Sequence, residues 1–255
     1  MDVIDLHGSC LFVSDAHFQT PEDDASRRRE ETFINMLGQH PDLNHLFLLG
    51  DIFDFWFEYR DVVPKGYFRL FNYLYEISEK GTEIHIFTGN HDMWMCDYFQ
   101  ESFKAVIYRR EQLFNINGKR ILIAHGDGLG GRQRKYKLIK KIFNFKPNQT
   151  LYSTLHPRIA FSIARFFSKK SRNSHPDDER VFKGDGEHQI MYSKEMEKKT
   201  GADFFVFGHR HIPFEYGLDG GGVVFNTGDW LDHFSYITFD EDDSKPKLVF
   251  FNTEL

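Results

Sequence analysis

The stretch HLFLLGDIFD, residues 45–54, joins a short apolar run to a ligand-type side chain. Residues 45–49 form the run, and its length and its boundary at Gly50 favour a buried strand over a helix. Asp51 follows where that strand would end. Because binding sites in α/β folds gather at the carboxyl ends of strands, this stretch predicts a strand that delivers a carboxylate to a functional edge.

Four other segments repeat this pattern. Apolar runs at 10–13, 84–88, 120–124 and 204–207 are followed by Asp15 and His17, by Asn90, by His125, and by His209 and His211. Between and after these runs, apolar residues recur at helical spacing at 27–37, 66–80 and 187–200. Shorter strands are predicted after Pro213, at 223–225, 236–239 and 248–251. The alternation predicts a single α/β domain over residues 1–255, with two sheets packed face to face and helices outside.

The charge of the 255-residue chain is unevenly distributed. Its net charge is −6, yet residues 129–175 hold twelve lysine and arginine residues and no acidic residue. Such a run is compatible with a solvated helical surface or with a contact face for phosphate, lipid or nucleic acid. The segment of about 129–185 also interrupts the strand pattern, with helices predicted up to Lys141 and after Pro157. We therefore expect a helical lid insertion there.

Composition excludes several classes of protein. The 28 phenylalanine residues exclude a disordered chain, and no apolar run approaches the roughly 20 residues that span a bilayer. Cys10 and Cys96 are too few for a disulfide framework. The acidic start of the chain does not resemble a signal peptide, so a cytoplasmic protein is expected.

The residues at the strand ends are all oxygen or nitrogen donors: Asp15, His17, Asp51, Asn90, His125, His209 and His211. Taken singly, each has an ordinary explanation as a turn, cap or loop residue. Their shared position at five strand ends favours a site for hard or borderline divalent metals such as Mn, Fe or Zn.

These motifs resemble, in order, those of the calcineurin-like metallophosphoesterases: Asp15-x-His17, Gly50-Asp51-x-x-Asp54, Gly89-Asn90-His91-Asp92, His125-Gly126-Asp127 and Gly208-His209-x-His211. The resemblance implies a four-layer α/β/β/α sandwich. It also implies two metal ions, with Mn expected and Fe or Zn as alternatives, and with Asp51 bridging them. The implied ligands are Asp15, His17, Asp51 and His211 for one ion, and Asp51, Asn90, His125 and His209 for the other.

The resemblance also implies two catalytic residues outside the ligand set. His91 would protonate or stabilise the leaving oxygen, and Asp54 would orient it. A carboxylate on the second ring nitrogen would define the tautomer of His91 and raise its basicity. Dimetal activation of water to hydroxide would supply the nucleophile.

Within this family, residues 47–56, the His125 motif and the helical insertion are similar to UDP-2,3-diacylglucosamine pyrophosphatases of lipid A synthesis. That similarity implies hydrolysis of a nucleotide-linked lipid sugar diphosphate to UMP and 2,3-diacylglucosamine 1-phosphate. It implies peripheral binding to the cytoplasmic face of the inner membrane through the basic lid. The expected substrate contacts are Asn90, Arg132, Tyr136, Leu155, Ile159, Ile163, Phe166 and Phe167. Well-known members have Arg at the position of His91 and Glu at that of Asp54, so the chain represents a divergent branch.

Two other functions are compatible with parts of this pattern. A soluble metallophosphodiesterase or nucleotide phosphatase would use the basic insertion to bind a nucleotide or nucleic acid, although the few aromatic residues in the insertion make nucleic acid the weaker partner. A metal-free scaffold would be expected to have lost ligands, and none is missing. The oligomeric state is not predicted.

Overall fold

The computed structural model describes residues 1–20, 23–130, 140–143, 145–164 and 181–252. Within these residues the strands are β1 (Val3–Leu6), β2 (Cys10–Val13), β3 (His45–Leu48), β4 (Glu83–Phe87), β5 (Val106–Tyr108), β6 (Gln112–Ile116), β7 (Lys119–Ile123), β8 (Phe204–Phe207), β9 (Pro213–Gly217), β10 (Val223–Thr227), β11 (Ser235–Phe239) and β12 (Lys247–Phe250). The helices are α1 (Asp24–Gly38), α2 (Phe68–Glu79), α3 (Tyr98–Phe103), α4 (Lys146–Ser153) and α5 (His188–Thr200), with further helical residues at 140–143 and 157–164.

The strands form two six-stranded sheets, in the orders β12-β11-β2-β3-β4-β5 and β1-β6-β7-β8-β10-β9. Strands β2 to β5 are parallel neighbours, as are β7, β8 and β10. Parallel strands end at the same edge, so the loops after β2, β3 and β4 meet one another, and so do those after β7, β8 and β10. This arrangement brings the motif-bearing loops together.

Alternating side chains sort the strands into layers. Leu46 and Leu48 of β3 pack in a core beneath α1 and α2, whereas Phe47 faces a second core between the sheets. A third core lies under α5 on the outer face of the other sheet, where Ile190 packs near Phe205. The prediction of two stacked sheets with helices outside is confirmed.

Part of the predicted insertion lies within the described residues. It packs on the domain through aromatic rings: Tyr152 lies 4.9 Å from both Phe57 and Trp94, and Phe161 lies 5.4 Å from Phe55, measured between ring centroids. Residues 131–139, 144 and 165–180 fall outside the described part, so a lid over this length stays a prediction. Among the described residues, no helix has the length and apolar character needed to traverse a membrane.

Candidate metal centre

Short loops after five strands deliver the predicted ligands to one place. The backbone N–H of Asp15 donates to the carbonyl of Gly50 at 3.1 Å, and that of His17 donates to the carbonyl of Asp51 at 3.0 Å. In the other sheet, the Gly208 N–H donates to the His125 carbonyl at 2.8 Å. These bonds continue the strand pairing into the loops and align the side chains that follow.

One cluster of ligand atoms consists of Asp15, His17 and His211. The Nε2 atoms of the two histidines are 3.3 Å apart, and Asp15 Oδ1 lies 3.4 Å from His211 Nε2. Asp15 Oδ1 is buried and has no hydrogen-bond partner among the described residues. Two ring nitrogens and an unpartnered carboxylate oxygen that converge in this way fit the ligand shell of a cation.

A second cluster consists of Asp51, His125 and His209. Asp51 Oδ2 lies 3.4 Å from His125 Nε2 and 4.0 Å from His17 Nε2, so this carboxylate stands between the two clusters. The side-chain oxygen of Asn90 lies 3.4 Å from His125 Nε2. The structure thus brings all seven predicted ligands together.

Hydrogen bonds on the far side of two histidines orient them. His125 Nδ1 donates to the Leu49 carbonyl at 2.7 Å, which directs Nε2 at Asp51. His211 Nδ1 lies 3.1 Å from Asp229 Oδ2. Metal-binding histidines are commonly held by such outer partners, which set the tautomer and raise ligand basicity.

Charge in this group is dominated by the carboxylates. Burial alone lowers the pKa of His125, but the neighbouring Asp51 overcomes this and raises it to about 10. Burial also opposes protonation of His211, whose pKa Asp15 and Asp229 nevertheless raise to about 9. Carboxylates that hold protons on two buried histidines create a negative potential in which divalent cations would replace those protons.

Five of the ligand residues have a left-handed backbone, which is uncommon for residues other than glycine. Their φ angles are 53° for Asp15, 46° for His17, 52° for Asp51, 69° for His209 and 56° for His211. Such conformations cost of order 1–3 kcal/mol each and persist where surrounding contacts enforce them. The concentration at this site indicates a functional constraint on the loops.

Asp92 supplies one of those contacts. Its buried carboxylate accepts the N–H of Gly89 at 2.7 Å and that of Ile52 at 2.9 Å, and so ties the loop after β3 to the loop after β4. Burial and the charge of Asp51 raise the pKa of Asp92 to about 7. Asp92 belongs to one of the sequence motifs, but the motif alone does not indicate this role.

The loop after β8 is held by the ligand Asp15 and by Gln189 and Asn226, for which the sequence predicts no role. The Gly208 carbonyl accepts from Gln189 Nε2 at 2.8 Å and from Asn226 Nδ2 at 2.6 Å. The His209 N–H donates to Asp15 Oδ2 at 2.8 Å. Gln189 lies on α5, outside the sequence motifs. Its function in holding this loop is evident only from its hydrogen bond to Gly208 in the folded structure.

His91 lies at the edge of the first cluster, with its ring centroid 4.8 Å from that of His17. Its Nδ1 donates to the backbone carbonyl of Asp54 at 2.9 Å, while the Asp54 carboxylate oxygen Oδ1 stands 3.6 Å from His17 Nδ1. The expected contact between the two residues is therefore seen on the carbonyl of Asp54. Because a carbonyl can only accept, this bond places a proton on Nδ1 and orients the ring, but it lacks the charge of the expected carboxylate.

Only some of the substrate contacts predicted in the insertion lie within the described residues. Arg132, Tyr136, Phe166 and Phe167 lie outside the described residues. Ile159 and Ile163 are exposed, at 53% and 39%, and Leu155 is half-buried. The residues that face the domain are instead Tyr152, Ala160 and Phe161. The lining of an acyl-chain slot by the apolar stripe stays a prediction.

Residues 8–213 match the family described as calcineurin-like phosphoesterase, and the chain belongs to this family. The resemblance seen in the motifs is thereby confirmed. The family uses a divalent dimetal centre, and its chemistry makes the protein a hydrolase of phosphoester or pyrophosphate bonds.

Two proteins with a named activity and one solved structure are similar to this chain over most of its length. A Porphyromonas gingivalis protein named UDP-2,3-diacylglucosamine hydrolase is 32% identical over 251 residues, which cover 92% of this chain and 95% of that protein. A Shewanella putrefaciens protein of the same name is 25% identical over 229 residues, covering 89% and 91% of the two chains. Among solved structures, an archaeal phosphodiesterase matches over 95% of this chain and 99% of its own, with 12% identity and a TM-score of 0.48.

Proposed function

We propose that the protein hydrolyses the diphosphate of UDP-2,3-diacylglucosamine to UMP and 2,3-diacylglucosamine 1-phosphate, using two divalent metal ions, with Mn²⁺ preferred. The observation that carries this proposal is the position of Asp51, whose Oδ2 lies between the cluster of His17 and the cluster of His125. A carboxylate in that position suits a bridge between two cations. The similarity to proteins named for this substrate supports the choice among phosphoesters.

In this proposal Asp15, His17, Asp51 and His211 hold one ion, and Asp51, Asn90, His125 and His209 hold the other. When bound, such a pair of ions activates water for attack and neutralises the charge that develops on the phosphoryl oxygens. The neutral amide of Asn90 offers an oxygen without adding negative charge. Mn²⁺ matches the mixed carboxylate, amide and imidazole donors, and Fe²⁺ or Zn²⁺ would also be accommodated.

His91 acts as the proton donor to the leaving oxygen. Its Nδ1–H···O=C bond to Asp54 orients the ring, so that Nε2 would be the nitrogen that passes the proton to the leaving oxygen. The His91 backbone N–H also donates to Asp51 Oδ1 at 2.8 Å, so the same residue helps to orient the proposed bridging carboxylate.

A cavity of about 840 Å³ beside the metal centre supports a large anionic and partly apolar substrate. His125 lies in its wall, and the insertion contributes another part of the lining. The cationic lining residues are Arg109, Arg110, Lys140, Lys141 and Lys146, and the apolar ones include Met93, Trp94, Met95 and Phe145. Cations beside a metal centre suit a diphosphate, and the apolar side chains suit a lipid.

The insertion is proposed to rest on the cytoplasmic face of the inner membrane. It exposes Ile142, Phe145 and Leu151 by 51%, 58% and 70%, next to the exposed Lys141 and Lys146. Apolar side chains flanked by lysines favour binding to an anionic lipid surface. Sedimentation with vesicles that contain anionic lipid, but not with neutral vesicles, is the expected result.

The substrate assignment is tested by UMP release from UDP-2,3-diacylglucosamine by the purified protein with Mn²⁺. UDP-N-acetylglucosamine, which lacks the long acyl chains, and a water-soluble diester serve as comparison substrates. Turnover of the lipid substrate well above both is expected. Efficient cleavage of the diester or of nucleotides without UMP release from the lipid would instead identify a soluble phosphodiesterase or nucleotide phosphatase.

The metal assignment is tested with Asp51→Ala and His91→Ala, and with His188→Ala as an exposed histidine control. Asp51→Ala should lose bound Mn²⁺ and nearly all turnover. His91→Ala should keep the metal while turnover falls by roughly 10²–10⁴-fold. Metal content and rate are measured on the same samples, and full activity of His91→Ala would refute its role as the acid.

A further inference from the structure

A second group of metal-ligand side chains lies at the amino-terminal ends of β3 and β4, away from the candidate metal centre. His45 begins β3 and pairs with Glu83, the first residue of β4, and His85 lies two residues further along β4. Strands rise by about 3.3 Å per residue. The length of β3 therefore separates His45 from the loop of Asp51 by roughly 10 Å or more.

The ligand atoms of this group converge. His45 Nδ1 lies 3.3 Å from His85 Nε2, and Glu83 Oε2 lies 3.4 Å from the first and 3.8 Å from the second. Tetrahedral Zn²⁺ with bonds of about 2.0–2.2 Å places its ligand atoms about 3.3–3.6 Å apart. The observed triangle therefore needs only a small adjustment to surround an ion.

The outer nitrogens of both rings have partners that orient them. His45 Nε2 donates to the His7 carbonyl at 2.9 Å, which leaves Nδ1 with its lone pair directed at the triangle. His85 Nδ1 lies 3.2 Å from the hydroxyl of Tyr108. Second partners of this kind are typical of histidines that bind metal.

The burial and the charge of these three side chains also suit a metal site. His45 and His85 are 6% and 2% exposed, whereas the side chain of Glu83 is 62% exposed. Burial and the neighbouring His45 lower the pKa of His85 to about 3, so its ring is neutral near pH 7 and does not have to release a proton before it binds a metal. The exposed carboxylate leaves a path for an ion from solvent.

We propose that His45, Glu83 and His85 bind one divalent transition-metal ion, best matched by Zn²⁺, with a fourth position open to water. Two histidines and one glutamate form a known three-residue zinc ligand set. The ion would tie β3 to β4, the strands whose other ends carry Asp51 and Asn90, and so would stabilise the framework of the catalytic centre without taking part in the reaction.

The same residues have an alternative arrangement without metal. Tyr108 O–H can donate to His85 Nδ1, His85 Nε2–H to His45 Nδ1, and His45 Nε2–H to the His7 carbonyl. This chain would satisfy the buried polar atoms, and it makes no use of Glu83. The contribution of Glu83 to zinc binding therefore separates the two arrangements.

The test counts zinc by equilibrium dialysis of the whole protein against micromolar Zn²⁺, followed by elemental analysis. Glu83→Ala removes an exposed ligand and should leave folding intact, His45→Ala removes a buried one, and Glu101→Ala is an exposed glutamate control. The wild type and the control should bind one zinc ion per chain more than either variant. Visible absorption of the Co²⁺-loaded proteins should show a matching loss of tetrahedral signal.

Equal zinc counts in the wild type and in a folded Glu83→Ala variant would overturn this proposal. The outcome is independent of the proposed catalytic function, because loss of the catalytic metals would change the total in every protein but not the difference between them. Circular dichroism and the melting temperature establish that each variant is folded.

Discussion

Asp229, in the loop after β10, offers a direct test of how the first ligand cluster is held. Its Oδ2 lies 3.1 Å from Nδ1 of His211. Its Oδ1 accepts the backbone N–H groups of Leu231, Asp232 and His233 at 3.2, 2.9 and 3.0 Å. One carboxylate thus braces a turn and sets the protonation of a proposed metal ligand.

Asp229→Asn preserves the shape of the side chain but removes its charge. If the amide oxygen stays on the three N–H groups of the turn, the amide NH₂ faces His211 Nδ1 and favours the tautomer with the proton on Nε2. That nitrogen faces Asp15 and His17 and would no longer be free to bind a metal. If the amide rotates, its NH₂ opposes the three N–H donors of the turn instead.

The expected magnitude follows from the loss of one charge-assisted hydrogen bond to a metal-binding histidine. Loss of such an outer partner typically lowers metal affinity by about 10–100-fold, which corresponds to about 1.4–2.8 kcal/mol. The value agrees with the roughly 1.5–3 kcal/mol of a hydrogen bond to a charged group. The rate at saturating metal should change much less, because Asp229 does not contact the substrate in the proposed mechanism.

The assay is UMP release from UDP-2,3-diacylglucosamine as a function of Mn²⁺ concentration. Asp232→Asn is the matched control, because Asp232 is exposed and lies in the same turn. The half-saturating Mn²⁺ concentration should rise 10–100-fold for Asp229→Asn alone. An unchanged value, or an equal rise in the control, would refute the assignment of Asp229 as the residue that positions His211.

The strands that bear the site are predictable from sequence because they are buried on both faces. All residues of β2, β3 and β8 are buried, so each appears as a continuous apolar run. The strands that the sequence analysis missed include β1, β5 and β9, which lie at the edges of their sheets. Their half-exposed patterns break the apolar run that identifies a central strand.

The candidate site likewise contains residues that the sequence reveals and residues that it does not. Its ligands follow strands directly, so their positions are encoded locally and the motifs reveal them. Asp92, Gln189 and Asp229 support those ligands through contacts between loops and across the sheet, and such contacts depend on the packing of distant segments. The left-handed backbone of Asp15 and Asp51 has only a weak signal in side-chain type, because aspartate adopts it more often than most residues but far less often than glycine.

Two further predictions concern packing and pH. A Cβ on Gly89 would lie 2.5 Å from the backbone nitrogen of Asp51 and would overlap its carboxylate. Gly89→Ala should therefore lower the free energy of unfolding by about 1–3 kcal/mol and reduce the amount of bound Mn²⁺. Gly217→Ala is the control, because its Cβ would meet open space, and it should change neither quantity in parallel urea titrations and metal analyses. His40 governs the pH prediction, because burial lowers its pKa in the folded protein more than Asp240 raises it. The unfolded chain therefore binds more protons below about pH 6.5, and stability is full above that pH and falls as the solution is acidified. His40→Gln should lose less unfolding free energy than the wild type between pH values of about 7 and 5, by at most about 1.4 kcal/mol per pH unit, and parallel curves for the two proteins would contradict the assignment.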